Sequence, residues 1–112
     1  MRIEREDQTD AFLEDFGTGL GRVTHPYTNL VFSAAGIMNP NEYVVSNTST
    51  GLNPGWHQGM EDNTPGDTDG RMIFFDTFDD VNQTELYRRD FTVPANTDHI
   101  FDFSMTTVYA VS

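Results

Sequence analysis

Nowhere along this chain do apolar residues recur at i, i+3, i+4 and i+7 between a capping residue and a stop, whereas several short runs alternate with a period of two. A helix needs the first pattern to bury one stripe, and a strand needs the second to bury one face. The chain is therefore expected to be all-β. In the clearest run Tyr87, Phe91 and Val93 alternate with Arg88, Asp90 and Thr92, which leaves Arg89 on the inward side, where it needs a partner. After a turn at Pro94, Ala95, Asn96 and Thr97, the residues Phe101, Phe103, Met105, Tyr109 and Val111 share one face, and Asp102, Ser104 and Thr106 the other. Two alternating runs joined by a short turn predict an antiparallel hairpin.

Further strands are expected at Phe12–Phe16, Leu30–Ala34, Glu42–Ser46 and Met72–Phe75, with Gly17, Gly19 and Gly21, and later Pro40 and Asn41, marking the breaks. Met72–Phe75 is apolar at every position, so it is expected to be central and covered on both faces. The first ten residues are read as a flexible or short helical segment. These pieces add up to a single domain over residues 1–112, an antiparallel β-sandwich of about six to eight strands. Two long loops remain, at residues 17–29 and 47–70, and ordered loops of that length usually serve a function.

The net charge of -12 makes nucleic acid an unsuitable partner, because an acidic surface repels phosphates. No apolar run approaches the ~20 residues that a membrane-spanning helix requires, so no membrane span is expected. The opening residues carry no apolar segment of the kind that marks a secretory signal. With no cysteine, neither disulfides nor thiolate metal sites are available. All six basic residues are arginines, which excludes Schiff-base lysine chemistry. Catalysis is not expected, since no serine sits in a nucleophile elbow, no HExxH pattern occurs and the three histidines lie far apart in sequence.

Phe16-Gly17-Thr18-Gly19, Pro26-Tyr27, Tyr43-Val44-Val45-Ser46-Asn47, Trp56-His57, Gly66-Asp67-Thr68-Asp69-Gly70-Arg71-Met72, Leu86-Tyr87-Arg88 and Pro94-Ala95-Asn96-Thr97 follow one another in an order that resembles a jelly-roll domain. This domain recurs in large bacterial cell-surface and adhesin-like proteins and is similar in look to carbohydrate-binding modules. The likeness spans roughly residues 12 to 111. It implies a jelly-roll sandwich, an extracellular or cell-surface setting, and binding rather than catalysis. In that family further strands usually follow the one matching residues 99 to 111. The chain is thus expected to be a shortened or partial form, its sheet completed by a partner strand.

The loop from Trp56 to Gly70 carries the candidate chemistry. Calcium takes six to eight hard oxygens, and Asp67 and Asp69 in a Gly-flanked loop, with Glu61 and Asp62 nearby, supply several. By the resemblance, Glu14 or Asp15 joins Asp67 and Asp69 around that ion. The competing account is an Asp-rich turn whose carboxylates bond nearby backbone amides. For a sugar, Trp56, His57, Tyr27 and Asp62 offer aromatic faces and polar groups, but Trp56 serves equally well as a lid on the hydrophobic core. The acidic run Asp76, Asp79 and Asp80 offers oxygens to a second cation, but such a run usually reads as a solvated turn.

The expected function is thus a noncatalytic binding or adhesion module, stabilised by calcium and directed at a glycan or another surface protein. The alternative is a self-assembling module that forms dimers or fibres by edge-strand pairing.

Overall fold

The computed structural model describes residues 2–5, 10–62, 66–77, 86–92, 95 and 98–108. Its strands are β1 (Arg2–Arg5), β2 (Asp10–Leu13), β3 (Val31–Phe32), β4 (Glu42–Ser46), β5 (Met72–Phe75) and β6 (His99–Asp102). The described residues contain no helix, and hence none long and apolar enough to cross a membrane. The all-β expectation holds at that level. The strands form two three-stranded sheets, ordered β2-β1-β6 and β3-β4-β5.

The second sheet carries the core. Val44 of β4 stands opposite Phe74 of β5 in an antiparallel register, and both are buried. Met38, Leu52 and Trp56 close over this pair, while Phe32, Met72 and Val108 pack around the edge. On the other side of β4, the edge not paired to β5 is shared. The short strand β3 pairs with it in parallel, and Val23 bridges Val45 through two backbone bonds of 2.9 and 3.1 Å. β4 is thus the strand buried on both faces, with Tyr43, Val44, Val45 and Ser46 all buried. β5 was expected in that central place, but among the described residues it lies at the sheet edge, with only Phe74 fully buried.

Other expectations are also corrected. The N-terminal residues, read as flexible or helical, include strand β1, and the strand expected at Phe12–Phe16 lies earlier, at Asp10–Leu13. Residues 86–92 form no strand and make no hairpin with β6. Instead β6 pairs antiparallel with β1, from Arg2↔Asp102 to Arg5↔His99. Phe101, Phe103 and Met105, expected on a buried face, are exposed, and it is Val108 that reaches the core. Alternation marks which side chains share a face, but it does not say that anything covers that face. Tyr109 and Val111, and Val93, Pro94, Asn96 and Thr97 of the expected strand and turn, lie outside the described residues.

The long loop after β4 is ordered by side chains acting as backbone surrogates. Buried Ser49 donates to the His57 carbonyl at 2.6 Å and accepts from the Met60 amide at 2.9 Å. Gln58 Nε2 donates to the carbonyls of Asn53 and Trp56, both at 2.9 Å. Arg22 reaches across from the earlier loop to bond the carbonyls of Ser33, Gly36 and Gly51 and the Ser33 hydroxyl. Such bonds satisfy the loop's polar groups where no ladder is available.

Candidate functional site

Two clusters of charged side chains flank the long loops. The first forms where the loop ending in Arg71 meets the loop after β2. Gly19 N donates to Asp69 O at 2.8 Å and Arg71 N donates to Gly17 O at 2.9 Å, around an isolated bridge between Thr18 and Gly70. Gly70 is buried, and a Cβ there would fall against Oδ2 of Asp67 and both carboxylate oxygens of Asp62. Two acids are therefore turned onto the same bare Cα. Asp62 Oδ2 is buried and accepts no hydrogen bond. A Cβ at Gly19 would in turn strike the Arg71 guanidinium, so the bridge carries negative charge over one glycine and positive charge over another.

The Asp67 carboxyl is held above the ordinary carboxylate range, first by loss of solvent and then by the charge of Asp62 and a hydrogen bond shared with it. Asp15 adds a smaller push in the same direction, and its own Oδ1 accepts from Gly17 N at 2.9 Å. Asp62, weighed for calcium and for a sugar alike, stands beside Asp67. Asp69 contributes its backbone carbonyl to the bridge, and its side chain is exposed, with a left-handed φ of 55°. Among the described residues no three histidine or acidic side chains form a metal-binding group.

The second cluster surrounds His25. Glu14, expected beside Asp67, has its carboxylate engaged here. Glu14 Oε1 accepts from Arg89 Nη1 at 3.2 Å and from Tyr87 OH at 3.4 Å, while Oε2 accepts from Phe16 N at 3.2 Å. Arg89, the inward arginine of the sequence pattern, thereby finds its partner. His25 Nε2 lies 3.2 Å from the same Glu14 Oε1, but off the line that a hydrogen bond requires. The imidazole stacks on Tyr87 at 5.6 Å and meets the rings of Phe16 and Tyr27 edge-on at 5.1 and 5.5 Å. Arg89 also lies over the Tyr27 ring, 4.7 Å from its centre.

Burial pulls the His25 imidazole below its ordinary value, opposed by Glu14 and reinforced by Arg89. Burial, followed by Glu14, raises the Tyr87 phenol. A shallow cleft of about 130 Å³ opens beside this cluster, between Pro26, Tyr27, Thr28 and Asn29 on one side and Arg88 on the other. Its two walls are joined by a bond of 3.0 Å from Arg88 N to Tyr27 O.

The four residues considered for a sugar are therefore scattered. Trp56 is 4% exposed and lies near-parallel to Phe74, with ring centres 6.4 Å apart, as a lid on the core. His57 is exposed, with its backbone amide bonded to Val108 O. Asp62 belongs to the acidic pair, and Tyr27 alone lines the cleft. Sequence reasoning missed His25 and Tyr87. Arg89, which the sequence pattern left in need of a partner, was the signal that pointed toward this cluster.

No family model, no curated protein and no solved structure matches this chain.

Proposed function

We propose that the protein is a noncatalytic binding or adhesion module of jelly-roll type, displayed outside the cell or at its surface, in which a calcium ion fastens the loop after β4 to the loop after β2. The observation that carries this reading is the pair Asp62 and Asp67, turned together onto Gly70 with Asp62 Oδ2 buried and lacking a hydrogen-bond donor. A hard cation satisfies that oxygen and removes the repulsion, and the carbonyls of such a loop add the neutral oxygens calcium favours. Asp15 stands in the outer field of this site.

The test compares melting of the full chain in excess chelator and in calcium. Calcium is expected to raise the melting temperature of the wild type and to leave Asp62→Asn/Asp67→Asn unmoved. A wild type indifferent to calcium would sink the proposal.

The glycan-facing surface in this reading is the Tyr27 cleft, because Trp56 is occupied by the core. A glycan array with Tyr27→Ala as control tests it. Binding that survives the substitution removes the cleft from consideration, and a blank array leaves a spacer role.

A second reading, self-assembly through a sheet edge, is favoured by one observation. Ile100, Phe101, Phe103 and Met105 are exposed on and just after β6, which among the described residues is an outer strand of its sheet. Sedimentation showing a monomer at high concentration would count decisively against it.

A further inference from the structure

The segment 86–92 belongs to neither sheet, yet three of its residues are fastened to the loop after β2. Arg88 N bonds Tyr27 O at 3.0 Å, Arg89 Nη1 bonds Glu14 Oε1 at 3.2 Å, and Tyr87 OH reaches the same oxygen at 3.4 Å. His25 fills the space between the two segments, its ring stacked on Tyr87 and edge-on to Phe16 and Tyr27. Its backbone is fixed independently of that stack, because Tyr43 OH of β4 accepts from His25 N at 2.9 Å and donates to His25 O at 3.0 Å. The backbone that carries the imidazole is therefore tied to β4, and the segment it stacks against is tied to the loop after β2 through this cluster. The groups facing it are Glu14 and Phe16 from the residues after β2, Tyr27 from its own loop, Tyr43 from β4, and Tyr87 and Arg89 from the segment.

We infer that His25 is a proton-operated pin: neutral, it closes the segment 86–92 onto the loop after β2 and so builds the Tyr27–Arg88 cleft, and protonated, it loosens both. Glu14 offers one oxygen to Arg89, Tyr87 and the edge of His25, so a second cation competes with Arg89 for an acceptor already in use. The imidazole side chain is 11% exposed and Glu14 13%, which leaves little water to solvate the new charge. The depressed imidazole agrees with this balance, with burial outweighing the attraction of Glu14. For a base whose folded value lies below its unfolded one, the unfolded chain takes the proton first. Stability is then complete above the ordinary histidine value of about 6.5 and falls as the pH drops from there toward the folded value. The opening is local, because the core strands do not depend on the clasp.

The test is amide hydrogen exchange followed by NMR on the full chain at pH 7.5 and 5.5, as protection factors, which remove the intrinsic pH dependence of exchange. Protection at the Arg88 amide is expected to fall several-fold at the lower pH, while the Val45 amide, bonded to Val23 O within the core sheet, stays unchanged. His25→Gln is expected to show no such pH dependence at Arg88. The His25 ring protons of the wild type should titrate with a midpoint below the ordinary value. An unchanged Arg88 protection factor, a His25 midpoint at or above the ordinary value, or a pH-dependent loss that persists in His25→Gln overturns the proposal. Should His25→Gln fail to fold, the two wild-type measurements decide.

Discussion

Strands β4 and β6 are both short and β-prone, and they meet opposite fates. Glu42–Ser46 is buried from Tyr43 to Ser46, paired to β5 along one edge and to β3 and Val23 along the other. In His99–Asp102 only His99 is partly buried, and Ile100, Phe101, Phe103 and Met105 stay in solvent, Met105 at 85% exposure. The difference lies in the loops. The residues after β4 fold back over Val44 and Phe74 with Leu52 and Trp56, held by Ser49, Gln58 and Arg22. Nothing among the described residues covers β6 in the same way. Apolar area stabilises a fold only when it is removed from water, so these two regions contribute very unequally to folding.

Substitutions sharpen that contrast, and the largest effect belongs to the lid of the core. Trp56→Ala removes a buried ring and opens a cavity over Phe74, and is expected to cost about 3–5 kcal/mol in denaturant unfolding. A loss under about 1 kcal/mol would mean that the loop is not a cooperative part of the fold.

Next come the charged clusters that join the loops. Arg89→Ala strips Glu14 of its guanidinium while leaving the carboxylate mostly buried, at an expected cost of about 1–3 kcal/mol. Glu14→Gln/Arg89→Ala together should recover part of it, a double-mutant cycle that isolates the pair. Gly70→Ala drives a Cβ against the Asp62 and Asp67 carboxylates and is expected to cost about 1–3 kcal/mol and to abolish any response of melting to calcium.

Asp67→Asn has the opposite sign. The folded protein holds the Asp67 proton more tightly than the unfolded chain does, so this group favours folding at acid pH and that advantage disappears as the pH rises through its folded value. At neutral pH and in chelator, Asp67→Asn is therefore expected to melt above the wild type, and a lower melting point would show that the carboxylate is already compensated. The smallest effect is reserved for β6. Phe101→Ser should change monomer stability by no more than about 0.5 kcal/mol, and a larger loss would show that its exposed face is buried in solution.

The amino-acid sequence alone determined the strand chemistry of the core. Glu42–Ser46 and Met72–Phe75 occur where their β-branched and aromatic runs place them, and the absence of any helical stripe is matched by strands and no helix among the described residues. It also left Arg89 in need of a partner, although the strand that set it on an inward face does not form. Which acid, and which strand lies beneath which loop, were settled by contacts between residues far apart in the chain. Glu14 and Arg89 are separated by 75 positions, and periodicity carries no information about such pairing.

For the same reason the run from Tyr87 to Val93 reads as one arm of a hairpin with the residues from Phe101 onward, whereas β6 closes on β1 at the far end of the chain. Asp62, weighed for calcium and for a sugar alike, lies in the acidic pair because Gly70, lacking a side chain, leaves room for two carboxylates over one Cα. Local pattern states what a segment can bury. Only the tertiary structure decides what comes to cover it, because burial belongs to a pair of surfaces and a sequence pattern describes one of them at a time.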